Sequence, residues 1–302
     1  MKNYKIYQVD AFTKTPFAGN PAGVVSNADG LTEEQMQKIA REMHCSETAF
    51  IFASQSPDYN MEVRFFTPTT EVPLCGHATI ASQYVYALEN NLPSTHLKQK
   101  TKAGILPIEI IKVENDYEIV MTQARFEFGP ILSGEKLEPF CKALGIQRSD
   151  LDTKCPVQKV STGHPKLILA VKSREILNAL KPDQMQLLSL AKEFGYRGIF
   201  VFTFDSDSKD ILTHARMFAP ELGISEDPVT GMANGPLGAY IVKHRLAVFS
   251  SNEFSFVSQQ GEAIDRAGLV KVMVSCTNGE PERVRISGNA VVVIAGSLSV
   301  SD

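Results

Sequence analysis

Two short stretches of this 302-residue chain carry groups able to do acid–base chemistry: Cys75-Gly76-His77-Ala78-Thr79 in the first half and Asp227-Pro228-Val229-Thr230-Gly231-Met232 in the second. Each follows a matching run, Arg64-Phe65-Phe66-Thr67-Pro68 or Arg216-Met217-Phe218-Ala219-Pro220, and each leads into a segment of small residues. A strand, a turn and a helix N-terminus, present twice, describe two related domains. A helix start exposes unpaired N–H groups and a partial positive charge, and glycine lets a ligand approach the backbone. Gly76 and Gly231, with the amides of His77 and Met232, therefore make donors suited to a small carboxylate without a Lys or Arg. The same glycines would equally serve tight helix–sheet packing. A phosphate ligand is disfavoured, because neither a G-x-x-x-x-G-K-[ST] run nor a strand-linked G-x-G-x-x-G is present.

The elements that must position these groups are mostly strands. Short β-rich runs recur, among them Lys5–Phe12, Thr48–Ala53, Met61–Phe66, Leu167–Val171 and Gly198–Phe204. Fewer segments read as helices. Thr32-Glu33-Glu34-Gln35 has the form of a capping box, and Met36, Ile39, Ala40 and Met43 follow at helical spacing, delivering the chain to Ser46-Glu47. Further helices are predicted over His77–Glu89, Glu135–Leu144, Asp183–Glu193 and Gly231–His244. Strands outnumber helices without regular βαβ alternation, which predicts an α+β architecture.

Composition narrows the function classes. With 43% hydrophobic and 21% charged residues the chain is an ordinary globular sequence. Thirty Lys+Arg against 34 Asp+Glu leave a net charge of -4, which disfavours nucleic acid as a partner. The first ten residues alternate like a strand and lack a signal peptide's apolar segment, so a cytoplasmic location is expected. The charge-free stretch Ile286–Ser301 falls short of the ~20 apolar residues of a membrane helix and reads as a strand, so no membrane partner is expected. Five scattered cysteines without a C-x-x-C pair suggest neither a disulfide framework nor a structural metal, and His44, His96, His214 and His244 lack metal-ligand spacing. No metal is expected.

Val9-Asp10-Ala11-Phe12-Thr13, Phe17-Ala18-Gly19-Asn20-Pro21-Ala22, Ser46-Glu47-Thr48-Ala49-Phe50, Arg64–Pro68, Cys75–Thr79 and Asp227–Gly231 follow one another in a familiar order. Along essentially its whole length the chain resembles the PhzF-like (phenazine-biosynthesis-like) isomerases. The resemblance implies a diaminopimelate-epimerase-like fold, with two similar lobes that are each a β-barrel-like sheet around a central helix. Residues 1–125 plus 287–302 would form the N-terminal lobe and 126–286 the C-terminal lobe. It also implies a homodimer that uses no cofactor.

Within that superfamily the epimerases place one Cys in each half, whereas this chain keeps Cys75 and has Asp227 at the second position. The PhzF-like branch resembles a site of Glu, His and Asp, here Glu47, His77 and Asp227 as the catalytic candidates. Glu47 follows a helix and precedes an apolar strand, where partial burial would suit a carboxylate to take and return a proton; an ordinary surface carboxylate is the plainer alternative. His77 lies in the first turn of a helix, whose dipole disfavours an imidazolium, and could relay a proton. Asp227 precedes Pro228 and so lies in extended or turn backbone, placed to cap the helix or to bind a polar substrate group. Asn20, Gly76, Gly231 and Met232 are the substrate-binding candidates. Cys75 could be a buried filler or a relic of the two-thiol pattern, and Thr162-Gly163-His164-Pro165 resembles a further family motif. The implied activity is proton transfer on a small carboxylate-bearing substrate, similar to trans-2,3-dihydro-3-hydroxyanthranilate isomerase. An amino-acid epimerase or racemase, with Cys75 or Asp227 as second base, and a non-catalytic metabolite-binding protein are the alternatives.

Overall fold

The computed structural model describes residues 1–249 and 252–300, so Ser301 and Asp302, assigned above to the N-terminal lobe, lie outside the described residues. The chain divides into two compact units, one of residues 1–122 with the segment from Ser287 onward, the other Gln123–Ile286. The second unit begins three residues earlier than position 126 because the Gln123 side chain is hydrogen-bonded to Gly231 and Thr162.

The first unit contains β1 (Lys2–Ala11), β2 (Asn20–Val25), β3 (Thr48–Ala53), β4 (Met61–Phe66), β5 (Glu71–Val72), β6 (Thr95–Thr101), β7 (Gly104–Val113) and β8 (Asp116–Thr122). β1 and β2 pair antiparallel, β2 and β3 parallel, β3 and β4 antiparallel, β4 and β6 parallel, and β6, β7 and β8 form a meander. β5 folds back on β4. Helix α1 (Glu33–Met43) begins at the capping box expected from Thr32 and Gln35 and ends at His44 in the left-handed region. Its Met36, Ile39 and Ala40 pack with Phe50 and Phe66 in one apolar cluster. Helix α2 (Gly76–Glu89) buries eleven of its fourteen residues and touches β1, β2, β3, β7 and β8, so the sheet wraps it. Small residues on every side, such as Ala78, Ala81 and Ala87, permit this enclosure.

The second unit contains β9 (Glu127–Leu132), β10 (Val157–Ser161), β11 (Lys166–Ala170), β12 (Ile199–Thr203), β13 (Thr213–Ala219), β14 (Ile224–Asp227), β15 (Glu253–Gln260), β16 (Gly268–Thr277) and most of β17 (Glu280–Gly288). Its pairing repeats the first unit: β10 antiparallel to β11, β11 parallel to β12, β12 antiparallel to β13, β13 parallel to β15, β15 antiparallel to β16, with β14 folded back on β13. The helix expected over Glu135–Leu144 is split into a 3-10 turn, Gly134–Leu137, and α3 (Glu138–Leu144), because Pro139 has no N–H to donate and sits in a first turn. α3 packs with α4 (Arg174–Ala179) and α5 (Gln184–Phe194) in a cluster around Phe140, Leu187 and Phe218. Helix α6 (Gly231–Lys243) buries eleven of its thirteen residues and touches β10, β11, β15 and β16, as α2 does in its own unit.

The final strand, β18 (Ala290–Val300), pairs antiparallel with β1 along its length and returns the C-terminal segment to the first unit. The α+β class expected from the sequence is the class observed. No helix among the described residues is long and apolar enough to cross a membrane.

Candidate active site

In the first unit α1 ends at Met43, and Ser46 and Glu47 occupy the turn into β3. The Glu47 carbonyl accepts from Gly23 N–H at 3.0 Å, which fixes the turn against β2. Cys75 is the N-cap of α2, so Gly76 and His77 are its first two residues. His77 is buried, with Nε2 lying 3.2 Å from Ser46 Oγ and 3.4 Å from Glu47 Oε2, and Nδ1 lying 3.4 Å from Cys75 Sγ. Glu47 keeps 14% of its side chain exposed, and among the described residues its Oε2 has no hydrogen-bond partner beyond the imidazole contact. Imidazole thus joins a thiol on one side to a carboxylate on the other, an unbroken route for a proton. One ligand atom from each of Glu47, Cys75 and His77 lies within 4.8 Å of the others, a mixed oxygen, sulfur and nitrogen donor set that could also hold a metal ion.

Asn20 opens β2 and is buried. The turn before it is built by Asp10, whose carboxylate accepts from Phe17 N–H at 2.7 Å, and by Gly19 at φ +63°, where a Cβ would lie 2.2 Å from the Ala11 carbonyl oxygen.

In the second unit Asp227 ends β14, opposite Met217 of β13. Thr230 is the N-cap of α6 and donates its hydroxyl to the Asp227 carboxylate, and Gly231 and Met232 follow as the first helical residues. Buried Gln260 binds this turn on both faces. Its Oε1 accepts from Thr230 N–H and Asn234 Nδ2, both at 3.0 Å, while its Nε2 donates to the Asp227 carbonyl at 2.8 Å and to Thr230 Oγ1 at 3.1 Å. Gln123 does the same from the other side, donating to the Gly231 carbonyl at 2.8 Å and accepting from Thr162 Oγ1 at 2.9 Å. The Thr162-Gly163-His164-Pro165 motif is thereby tied to the start of α6. His164 is half-buried, and burial together with the charges of Lys166 and Arg197 holds its imidazole below the usual pKa.

Both turns hang from the same brace. Arg64 grips Glu71 with Nε and Nη2 at 2.8 and 2.6 Å and lies over the Phe66 ring; Arg216 grips Glu226 at 2.9 and 2.7 Å and lies over Phe218. Counting five residues on from each Glu reaches Gly76 and Gly231, so the counterpart of Cys75 is Thr230 and that of Asp227 is Val72. Counted instead from the paired Arg64 and Arg216, 152 residues apart, Asp227 falls opposite Cys75, while the N-cap position of the second helix holds the Thr230 hydroxyl. Topology supplies a further correspondence, since β2 and β11 hold equivalent places and a Gly-x-Pro run, Gly19-Asn20-Pro21 or Gly163-His164-Pro165, stands at the start of each.

The sequence model of the phenazine biosynthesis-like protein family matches residues 9–296. The chain belongs to this family, PhzF. It is 53% identical to an uncharacterized isomerase of Clostridium acetobutylicum over 99% of both chains. It is 35% identical to the crystal structure of a Bacillus anthracis phenazine biosynthesis protein of the PhzF family, covering 99% of this chain and 100% of that one with a TM-score of 0.90. The structure of a hydroxyproline epimerase from Agrobacterium vitis, 10% identical, has a TM-score of 0.63 over 99% of this chain and 93% of that one, which shows the shared fold alone. The fold is therefore the diaminopimelate-epimerase-like one, and the protein is an isomerase of the PhzF family.

Of the residues singled out by sequence, Glu47, His77, Gly76 and Cys75 come together in the first unit of this PhzF protein, and Asp227, Gly231 and Met232 in the second. Gln123 and Gln260 were missed. Both are polar side chains buried against the second turn, and periodicity alone gives such residues no mark.

Proposed function

We propose that this PhzF-family isomerase moves a proton by general acid–base catalysis, without a cofactor, on a small carboxylate-bearing substrate similar to trans-2,3-dihydro-3-hydroxyanthranilate. The single supporting observation is the Glu47 carboxylate, mostly buried yet 14% exposed, with Oε2 held only by the imidazole at 3.4 Å and so able to accept a proton. Glu47 takes a proton from a substrate carbon, and the bonding pair moves into the conjugated system. The new carboxylic O–H then gives a proton back at another carbon, so nothing is gained or lost overall. His77 orients Glu47 and exchanges protons with it. Asp227 binds a polar group of the substrate, and Asn20, Gly76, Gly231 and Met232 contribute contacts, with helix-start amides receiving the carboxylate.

Membership of PhzF also supports a cytoplasmic homodimer, which light scattering of the purified chain checks. The catalytic test is proton NMR in deuterated water with trans-2,3-dihydro-3-hydroxyanthranilate, and in parallel with diaminopimelate and proline. Loss of the vinyl pattern with deuterium uptake, abolished in Glu47→Gln, is the expected result. Exchange at an amino-acid α-carbon alone would assign an epimerase instead.

A further inference from the structure

The turn before β3 and the start of α2 bring a carboxylate, a thiol and an imidazole to one point of the first unit, with one donor atom from each of Glu47, Cys75 and His77 within 4.8 Å of the others. Around His77 Nε2 stand Ser46 Oγ at 3.2 Å, Glu47 Oε2 at 3.4 Å and Cys75 Sγ at 3.9 Å. A tetrahedral zinc ion with bonds of about 2.0–2.3 Å sets its donors roughly 3.3–3.7 Å apart, so these spacings are already close to those a bound ion imposes. Sγ lies nearer Nδ1, at 3.4 Å, so an ion seated on Nε2 draws the thiol toward itself by rotation about the Cα–Cβ bond of Cys75. A second observation points the same way. Glu47 Oε2 is a buried atom that, among the described residues, has the imidazole contact and no hydrogen-bond partner. A carboxylate oxygen withdrawn from water without a donor is costly to keep, and a cation satisfies it. His77 and Cys75 are buried and Glu47 keeps some exposure, so the carboxylate is the side of the cluster that meets solvent.

We propose that Glu47, His77 and Cys75 form a zinc-binding site whose occupation shuts the isomerase off. The site stands on its own donors, while the shut-off rests on the proton-transfer role proposed above for Glu47. Thiolate and imidazole favour zinc over magnesium and calcium, and three protein donors leave a fourth place for Ser46 Oγ or a water. On binding, Nε2 of the neutral imidazole and a Glu47 oxygen each give a lone pair to the ion, and the Cys75 thiol releases its proton to solvent as the zinc–sulfur bond forms. No oxidation state changes. The oxygen that takes the proton of the substrate is then coordinated, and the imidazole nitrogen beside it is no longer able to pass a proton. Zinc here is an inhibitor and takes no part in turnover, which revises the expectation that the chain holds no metal.

The test titrates the full chain, stripped with a chelator, with cobalt(II) as a coloured stand-in and then with zinc. The expected result is a thiolate-to-cobalt charge-transfer band in the near ultraviolet with the strong visible bands of a tetrahedral ion, both erased by stoichiometric zinc. Calorimetry in two buffers of different ionisation enthalpy should show a proton released with each zinc bound. Cys75→Ala should abolish the charge-transfer band and weaken zinc by about 100-fold or more, and Glu47→Gln should weaken it by about tenfold or more. Cys276→Ala, in the second unit, should leave band and affinity as they are. Should Cys75→Ala fail to fold, the imidazole nitrogen-15 signals of His77 in the wild-type chain serve instead, and zinc must move that of Nε2. No thiolate band in the wild type, equal zinc affinity in folded Cys75→Ala, or an unmoved His77 signal would each overturn the site. Turnover of trans-2,3-dihydro-3-hydroxyanthranilate should fall in proportion to the zinc bound and return with chelator; full turnover in the zinc-loaded chain would overturn the shut-off. Should the metal-free chain not turn that compound over at all, the proposed reaction fails, and the cobalt spectrum and calorimetry still decide the site.

Discussion

Replacing Gln260 by Met removes four hydrogen bonds while nearly preserving side-chain volume. Thr230 N–H has the Gln260 oxygen as its partner, so it is left without one in a half-buried turn, at about 1–3 kcal/mol. Asn234 Nδ2 keeps its bond to the Thr230 carbonyl, and Thr230 Oγ1 keeps Asp227. With the contact to the Asp227 carbonyl, three further bonds are then lost at a net ~0.5–1.5 kcal/mol each. Burying a thioether in place of an amide returns about 1 kcal/mol. The sum centres near ~4 kcal/mol of lost stability. Urea unfolding followed by hydrogen exchange at the Thr230 amide reads both the global and the local loss. Since Asp227 and the first turn of α6 are the groups set free, kcat/KM should fall by about 100-fold, the size of effect a 1 Å misplacement produces. An unfolding free energy within ~0.5 kcal/mol of wild type, with Thr230 exchange unchanged, would refute the assignment of Gln260 as the pin of this turn.

Arg216→Met should destabilise by about 3–5 kcal/mol and Arg64→Met by less. Arg216 also donates to the carbonyls of Leu177, Asn178 and Leu180 and its side chain is 7% exposed, against 21% for Arg64; paired denaturation curves decide this. Cys75→Ser should keep kcat/KM within about tenfold of wild type if Glu47 is the base, and a loss of about 1000-fold or more would make the thiol the second base. Stability should fall on acidification. His164, His214 and His244 are held below the ordinary histidine pKa, first by burial, so the unfolded chain binds protons that the folded one refuses. Their contribution is complete above the unfolded value of ~6.5 and is lost as pH drops below it, with a slope of at most ~1.4 kcal/mol per pH unit for each imidazole. Thermal melts between pH 7.5 and 5 report it, and a flat profile would contradict the burial of these three rings.

Where local chemistry decides structure, the sequence was legible. Thr32 and Gln35 announced α1, and the apolar runs of β3 and β4 ended where expected. The paired Arg-Phe runs disclosed the duplication, and side chains of the right type at two helix starts disclosed most of the candidate site. What stayed hidden depends on distant partners. β6, Thr95–Thr101, is rich in polar residues because only Gln99 and Thr101 of it are buried, and Gln99 is matched by Gln83 of α2 at 2.6 Å. α4 has six residues and no room for a helical period. Gln123, Gln260 and Lys166 read as solvent-facing types until the chain folds over them.

The twin Arg–Glu braces have a consequence for how such a protein can change. The segments between Glu71 and His77, and between Glu226 and Met232, each start from the same Arg–Glu pairing. Val72-Pro73-Leu74-Cys75 and Asp227-Pro228-Val229-Thr230 hold the corresponding places between brace and helix, and one carries a thiol while its twin carries a carboxylate. After a duplication, the copies could diverge in reactivity by point changes inside this segment while selection on the brace continued undisturbed. A single exchange, Thr230→Cys, would place a thiol at the N-cap of the central helix in both copies.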